Sequence, residues 1–162
     1  MKITLNNSRV IGSDEEPYII SELGSNHNGD MQIAKKLIEA SKNAGADCVK
    51  FQSWSKESIF SKKKYKDNFF LDDDYRNRED FTLEEIVEKY AISEEELAEM
   101  HDYSKKIGID FTSTPFSKQE VDFLADKLDV PFIKIASMDL NNYPFLNYIA
   151  QKNKPMVLST GL

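Results

Sequence analysis

Short apolar runs alternate along the chain with segments whose apolar residues follow helical spacing. The apolar runs begin near residues 18, 47, 109, 131 and 155 and are typical of buried strands. Between the first two runs, residues 31–44 follow the helical pattern, and Gly45 is suited to end a helix. Strands that alternate with helices indicate right-handed crossovers and a parallel sheet. The pattern therefore predicts an α/β fold in the order β-α-β-α-α-β-α-β-α-β.

The starts of several helices are marked by their own residues. A capping box, in which a Ser or Thr and a Glu three residues later satisfy each other's backbone N–H groups, is expected at Thr82, Ser93 and Ser117. Pro144 suits the first turn of the last helix. Ahead of the first strand, two short extended segments flank a turn and predict a hairpin over about residues 1–12.

Polar side chains interrupt strands that should be apolar. A parallel strand covered on both faces is expected to be a nearly continuous apolar run, yet Lys50 and Lys134 each lie inside one. Side chains alternate along a strand, so Gln52 shares a face with Lys50. Burying an unpaired lysine is unfavourable, and each lysine therefore needs a carboxylate or an anionic ligand. A structural ion pair at a strand end is the alternative to a binding site for each lysine.

Other polar residues lie towards the carboxyl ends of the same strands, where parallel α/β folds bind their ligands. They are Glu22, Thr114, Ser137 and Ser159. Together with the lysines they predict an anion site, although the pattern does not identify the anion. Each of the three hydroxyl residues could instead be an ordinary strand-end cap.

Composition and charge narrow the function classes. Apolar residues make up 40% of the chain and charged residues 30%, as in a soluble domain. A net charge of −7, from 28 acidic and 21 basic residues, argues against a nucleic-acid partner. No run approaches the roughly 20 apolar residues of a membrane span, and the N-terminus lacks a secretory signal. Cys48 is the only cysteine, which favours a reducing compartment, so we expect a cytoplasmic protein.

Five motifs, in order along the chain, resemble those of the sialic acid synthase family, which includes N-acetylneuraminate, legionaminate and pseudaminate synthases. The sequence SELGSNHNG at residues 21–29 is similar to the signature A-E-I-G-x-N-H-x-G. The other four are VKFQ at 49–52, STPF at 113–116, KIAS at 134–137 and LSTG at 158–161. The resemblance covers nearly the whole chain.

The resemblance implies a (β/α)8 barrel of the TIM type. Residues 1–162 would form its N-terminal part, with only about the first five βα units, and the family's C-terminal antifreeze-like domain would be absent. It also implies a reaction: carbon 3 of phosphoenolpyruvate attacks the aldehyde of an open-chain N-acyl hexosamine, water adds at carbon 2, and phosphate leaves by C–O cleavage. A divalent metal, Mn²⁺ or Mg²⁺, would assist, and the full-length protein would be a homodimer.

Site roles follow from the resemblance residue by residue. Lys50 and Lys134 match the lysines that bind phosphoenolpyruvate. Thr114, Ser137 and Ser159 match hydroxyls that bond its phosphate or carboxylate. The resemblance thus gives the predicted anion site a specific ligand.

Four further residues match family positions outside the phosphoenolpyruvate contacts. Glu22 matches an acid near the sugar and metal, and Asp139 falls where the family carries a carboxylate that would position the attacking water; both are candidate catalytic residues. Gln52 and Asn77 are candidate sugar contacts. For Asp139, turn chemistry with residues 141–142 is an open alternative.

The chain also departs from the family. The family's two metal-binding histidines lie beyond the position of Leu162, and His27 is expected to shape its loop rather than bind metal. A barrel has eight strands and about 250 residues, and five strands alone would leave the first and last with open edges. We therefore expect these 162 residues alone to be inactive. The alternatives are a non-catalytic remnant that binds phosphoenolpyruvate or a partner chain, and another phosphoenolpyruvate–sugar aldolase such as an octulosonate phosphate synthase.

Overall fold

Five parallel strands that alternate with helices form the body of the protein, in a computed structural model that describes residues 2–70 and 73–161. In chain order, the strands are β1 (Lys2–Thr4), β2 (Val10–Gly12), β3 (Ile20–Gly24), β4 (Cys48–Gln52), β5 (Phe69–Phe70), β6 (Asp73–Asp74), β7 (Asp110–Thr114), β8 (Ile133–Ile135) and β9 (Met156–Leu158). The parallel strands are β3, β4, β7, β8 and β9, whereas β1–β2 and β5–β6 are short antiparallel pairs. The helices are α1 (Met31–Asn43), α2 (Lys56–Ile59), α3 (Lys62–Asp67), α4 (Leu83–Tyr90), α5 (Glu94–Ile107), α6 (Lys118–Asp122) and α7 (Tyr143–Ala150). Apart from the additions within 54–81, this is the predicted order.

The parallel strands lie side by side in chain order. Strand β4 pairs with β3 on one side and with β7 on the other, and this register places Glu22, Lys50 and Thr112 in one row across the three strands. Strand β8 pairs with β9. The two groups are joined where the Thr112 hydroxyl donates a hydrogen bond of 2.7 Å to the backbone carbonyl of Phe132, just before β8. The three-stranded group and the two-stranded group are therefore adjacent, and the strands follow one another in the order β3-β4-β7 and β8-β9.

The three predicted capping boxes are confirmed. Thr82, Ser93 and Ser117 each accept a hydrogen bond from the backbone N–H three residues later, and the glutamate at that position returns one. Helix α5 ends at Gly108, whose φ of 75° is readily available to glycine because it has no Cβ. These local interactions fix where the long helices begin, and thus how the strand ends are spaced.

The charged stretch 54–81 contains more regular structure than the sequence indicates. The run of lysines at 62–64 begins helix α3, since Ser61 caps the helix by accepting from the Lys64 N–H and Asn68 ends it at a φ of 51°. Aromatic and aliphatic residues of the stretch pack with α4 in a small apolar cluster whose buried members are Trp54, Tyr75, Leu83 and Val87. The charges face solvent while the apolar residues hold the segment in place.

The two faces of the sheet have different partners. One face carries Val49, Phe51 and Ile133 and packs against the helices in the main core. The opposite face carries Lys50 and Lys134 and is called the lysine face below. At its amino end, Leu5, Cys48 and Phe132 form a separate buried cluster. The hairpin β1–β2 thus covers the apolar end of the lysine face and leaves the polar end for a site.

No helix in the described ranges is long and apolar enough to cross a membrane.

Candidate active site

Lys50 and Glu22 form the centre of the polar end of the lysine face. The two residues are register partners on β4 and β3, and the Lys50 ammonium forms an ion pair with Glu22 Oε2. The Lys50 side chain is 8% exposed, whereas that of Glu22 is 54% exposed. The predicted structural ion pair therefore exists, but its acid is open to solvent and can be replaced by another anion.

Lys134 lies on the same face, in strand β8. Its ammonium donates to the carbonyl of Ile135 at 2.7 Å and to the Ser159 hydroxyl at the end of β9. The pKa of Lys134 is lowered from its ordinary 10.5, first by burial and then by the charge of Lys50, while Glu22 acts in the opposite direction. The three charged groups thus act on one another across the same space.

Gln52 and Gly24 define the edge of the site next to β3. The Gln52 side chain accepts a hydrogen bond of 3.0 Å from the Trp54 indole N–H. The register of β3 shifts between Glu22 and Gly24, and Gly24 has a φ of 50°. A Cβ added at Gly24 would lie 3.5 Å from Glu22 Oε1 and 3.7 Å from Gln52 Nε2. Glu22 and Gln52, both predicted site residues, therefore approach the same point.

Two threonines of β7 share the lysine face but differ in their contacts. Thr112 is fully buried, and its hydroxyl is used by the bond to Phe132 that joins β7 to β8. Thr114 lies at the strand end, opposite Gln52 in register, and its backbone carbonyl accepts from the Ser53 N–H at 2.9 Å. Strand alternation explains why both lie on one face, but the linking role of Thr112 depends on a residue 20 positions away and has no local pattern.

Ser137 and Asp139 lie in the 3₁₀ turn that follows β8 (Ser137–Asp139). Ser137 is exposed, and Asp139 Oδ1 accepts a hydrogen bond of 3.0 Å from the Asn142 side chain, which caps α7. The turn-forming alternative for Asp139 thus has a physical basis. The roles of Ser137 in phosphate binding and of Asp139 in catalysis stay predictions.

His27 is held inside the loop that follows β3. It is 1% exposed, and its Nδ1 accepts a hydrogen bond of 3.0 Å from the Gly29 N–H. Burial lowers the pKa of His27, and its Nε2 is buried without a hydrogen-bond partner in the described part of the chain. Asn77 lies in the 3₁₀ turn Tyr75–Asn77, and its side chain is outside the described structure.

The described residues do not fit a metal centre on their own. No group of three or more His, Cys, Asp or Glu side chains suited to hold an ion occurs among residues 2–70 and 73–161 with described side chains. Glu22 could supply one oxygen, but its carboxylate is paired with Lys50. A bound divalent ion would need ligands from elsewhere, so no step of the chemistry below is assigned to it.

Comparison with known proteins supplies a family context. A model of the NeuB family matches residues 37–162. The chain is 42% identical to an uncharacterized protein of Methanocaldococcus jannaschii over 95% of this chain and 40% of that protein. It is 35% identical to the mouse N-acetylneuraminate-9-phosphate synthase, over 100% of this chain and 44% of the mouse protein. It is 36% identical to the N,N'-diacetyllegionaminic acid synthase of Legionella pneumophila, over 98% of this chain and 43% of that protein. The chain thus spans less than half the length of these relatives.

Solved structures agree with the fold. The N-acetylneuraminic acid synthetase of Leptospira borgpetersenii superposes with a TM-score of 0.81 at 29% identity, over 99% of this chain and 50% of that one. A phospho-2-dehydro-3-deoxyheptonate aldolase of Thermotoga maritima gives a TM-score of 0.65 at 13% identity, over 98% of this chain and 37% of that one, which shows a shared fold only. The predicted fold class is confirmed: these residues form about the first five units of a TIM-type (β/α)8 barrel.

Proposed function

Because the chain belongs to the NeuB family, we propose that it binds phosphoenolpyruvate between Lys50 and Lys134 and serves a synthase of nine-carbon 2-keto sugar acids. The acceptor would be an open-chain N-acyl hexosamine, either N-acetylmannosamine or a diacetamido-trideoxyhexose. Two of the relatives named above, the mouse N-acetylneuraminate-9-phosphate synthase and the N,N'-diacetyllegionaminic acid synthase of Legionella pneumophila, are synthases of such acids, which supports the reaction class. Because the chain covers under half of their length, the activity is proposed for the complete protein that contains these residues.

The two lysines on one face are the observation that carries this proposal. Phosphoenolpyruvate has a phosphate and a carboxylate, and it needs two cationic groups separated by a few ångströms in a partly dry site. Lys50 is buried, and Lys134 is close enough that the charge of Lys50 lowers its pKa. An anion placed between them would replace Glu22 as the partner of Lys50 and would relieve the repulsion of the two ammonium groups. Ser159 already contacts Lys134 and would offer its hydroxyl to the same anion.

The proposed reaction is balanced by one water. Carbon 3 of phosphoenolpyruvate forms a bond to the aldehyde carbon, and the aldehyde oxygen gains a proton to become a hydroxyl. Water adds at carbon 2, and the resulting tetrahedral centre expels phosphate and becomes a ketone. Glu22, at the edge of the site and open to solvent, would supply the proton to the aldehyde oxygen. Asp139 keeps its proposed role in positioning the water, for which Asn142 would orient its carboxylate.

The remaining parts of the proposal concern partners that the described residues do not contain. We expect a Mn²⁺ or Mg²⁺ ion to polarise the aldehyde in the complete protein, with ligands beyond this chain. We also expect a homodimer, and a cytoplasmic location in keeping with soluble substrates. Among the described residues, the lysine face offers no cluster of cations beyond Lys50 and Lys134 for an acceptor phosphate, which an octulosonate phosphate synthase would require.

The test is an acceptor assay on the protein encoded by the complete reading frame that includes these residues. Phosphate release from phosphoenolpyruvate would be followed with N-acetylmannosamine, with a diacetamido-trideoxyhexose and with arabinose 5-phosphate. The proposal expects release with at least one N-acyl hexosamine and loss of that release on chelation of divalent metal. Release with arabinose 5-phosphate alone would contradict it, and binding of phosphoenolpyruvate without turnover with any acceptor would favour the non-catalytic alternative.

Residues 1–162 alone provide a second test. They are expected to release no phosphate, because the residues that the structure describes do not hold a complete metal site. Metal-dependent release by these residues alone would overturn that expectation.

A further inference from the structure

Trp54 lies directly after β4, next to the lysine face, and nothing in the resemblance gives it a role. It is the only tryptophan of the chain and is 7% exposed, held in the apolar cluster with Leu83 and Val87. Its indole N–H donates a hydrogen bond of 3.0 Å to Gln52 Oε1. A buried aromatic side chain is thus bonded to a predicted sugar contact.

This bond fixes which way the Gln52 amide faces. An indole N–H can only donate, so the Gln52 atom that faces Trp54 must be the carbonyl oxygen. The Gln52 NH₂ group then faces away from Trp54, towards Gly24, where it lies 3.7 Å from the position of an added Cβ. Without the indole, the amide could rotate and present either its oxygen or its NH₂ group to the site.

The surroundings select the group that this NH₂ can bind. Glu22 Oε1 lies 3.5 Å from the same point at Gly24, so a carboxylate stands beside the amide. A second anion at this point would be repelled, whereas a neutral oxygen with a lone pair would accept from the NH₂. The ligand chemistry that fits is a hydroxyl or carbonyl oxygen of an uncharged sugar, in contrast to the anion that fits between the two lysines.

We propose that Trp54 is a positioning residue that holds the Gln52 NH₂ as a donor to an oxygen of the acceptor sugar. This inference rests on the proposed synthase function and extends it by separating the sugar edge of the site from the phosphoenolpyruvate lysines. It assigns to Trp54 an effect on the affinity for one substrate and not on the affinity for the other.

The experiment compares Michaelis constants for the two substrates in the complete protein. Trp54→Phe keeps an aromatic ring in the cluster and removes the N–H. Its KM for the sugar is expected to rise about fivefold, the size of one neutral hydrogen bond, with the KM for phosphoenolpyruvate unchanged. Tyr65→Phe is the matched control, since it removes one hydrogen bond, from the Tyr65 hydroxyl to the Lys56 carbonyl, in the same apolar cluster. It is expected to change neither constant.

Gln52→Met keeps the inference testable if Trp54→Phe folds poorly. This variant removes the NH₂ donor while every side chain of the apolar cluster is kept, and it is expected to raise the sugar KM at least as much. In the double variant, Trp54→Phe should add nothing further, because its effect passes through Gln52. Equal effects of Trp54→Phe with and without the Gln52 side chain would show a purely structural role.

The outcomes separate this inference from the function on which it rests. A wild-type protein that condenses phosphoenolpyruvate with an N-acyl sugar, together with a Trp54→Phe effect confined to the sugar KM, supports both. An active wild type whose Trp54→Phe variant shifts both KM values equally, or neither, overturns the inference and leaves the function standing. A folded wild type that is inactive with every N-acyl hexosamine contradicts both the inference and the proposed function.

Discussion

Glu22 and Lys50 are opposite each other in register on neighbouring parallel strands, and they form an ion pair in which only the acid reaches solvent. The ammonium is buried among strand residues, so its charge needs a partner in the ligand-free protein. The carboxylate loses little by being displaced, since water can solvate it. The pair therefore keeps a cation inside the site in a form that an incoming anion can take over.

The first prediction concerns the loss of the acid. Glu22→Gln leaves Lys50 without its carboxylate and should lower the free energy of unfolding by about 1–2 kcal/mol, between the values for exposed and buried pairs. Inorganic phosphate should stabilise this variant more than the wild type, because phosphate no longer competes with Glu22. Urea denaturation with and without phosphate measures both effects. Glu99→Gln, which removes the acid of the more exposed pair with Lys35, is the control and should change stability by less. Equal phosphate effects in Glu22→Gln and wild type would contradict this account of the pair.

A second prediction follows from the lowered pKa of Lys134. A neutral amine does not attract an anion, so the affinity for phosphoenolpyruvate should fall as the pH rises through this lowered pKa, before an ordinary lysine with a pKa of 10.5 would titrate. Because the bound anion favours the protonated amine, binding in this alkaline range should take up a proton. Lys134→Arg should extend the affinity to higher pH, since a guanidinium stays charged. Calorimetric titration over a series of alkaline pH values, in two buffers of different ionisation heat, measures affinity and proton uptake together. An affinity that is flat up to the ordinary lysine pKa, with no proton uptake, would be the opposite result.

The third prediction uses His27, whose pKa is lowered by burial although the charge of Glu96 opposes the shift. Below the ordinary value of 6.5 the unfolded chain binds a proton that the folded chain does not bind until the pH is lower. The contribution of His27 to stability is therefore complete above this value and is lost as the pH falls below it. Chemical denaturation at a series of pH values below and above 6.5 should show stability decreasing towards acid in the wild type and a smaller slope in His27→Gln. Identical slopes would show that burial does not keep the imidazole neutral.

A matched pair of threonine variants separates fold from site. Thr112→Val leaves the Phe132 carbonyl without its donor and should cost about 1–2 kcal/mol of stability, with little change in the affinity for phosphoenolpyruvate. Thr114→Val should do the reverse, because the hydroxyl of Thr114 is the one proposed to bind the ligand. Thermal unfolding measures the stability of each variant, and calorimetric titration measures its affinity for phosphoenolpyruvate. The assignment fails if Thr112→Val is the variant that loses affinity.

Much of the fold could be predicted because its determinants are local. The capping boxes at Thr82, Ser93 and Ser117 need only residues within one turn, and the apolar runs show the strands directly. Helix α3 could not be predicted, because its start depends on a single serine cap in a segment dominated by charge. Its stability comes from the apolar cluster with α4, which pairs residues that are far apart in sequence.

The site could be predicted as far as strand alternation and the resemblance allow. Lys50 and Lys134 stood out because they interrupt apolar runs, and the structure brings both to one face with Glu22 and Ser159. The roles of Thr112 and Trp54 could not be read from the sequence. Their importance comes from hydrogen-bond partners and from which atom of a side chain faces the site, and a pattern of residue types does not contain that information.

The most direct test of the central claim is calorimetric titration of phosphoenolpyruvate into two double variants of the chain. Lys50→Met with Lys134→Met removes both proposed ligands, whereas Lys62→Met with Lys66→Met makes the same change in net charge on the exposed face of α3. The account predicts that the first pair lowers the affinity at least tenfold, since each lysine contributes a charge-assisted hydrogen bond, while the second pair leaves it close to the wild-type value. Equal losses in the two double variants, or wild-type affinity in the first despite a normal unfolding transition, would show that the lysine face is not where phosphoenolpyruvate binds.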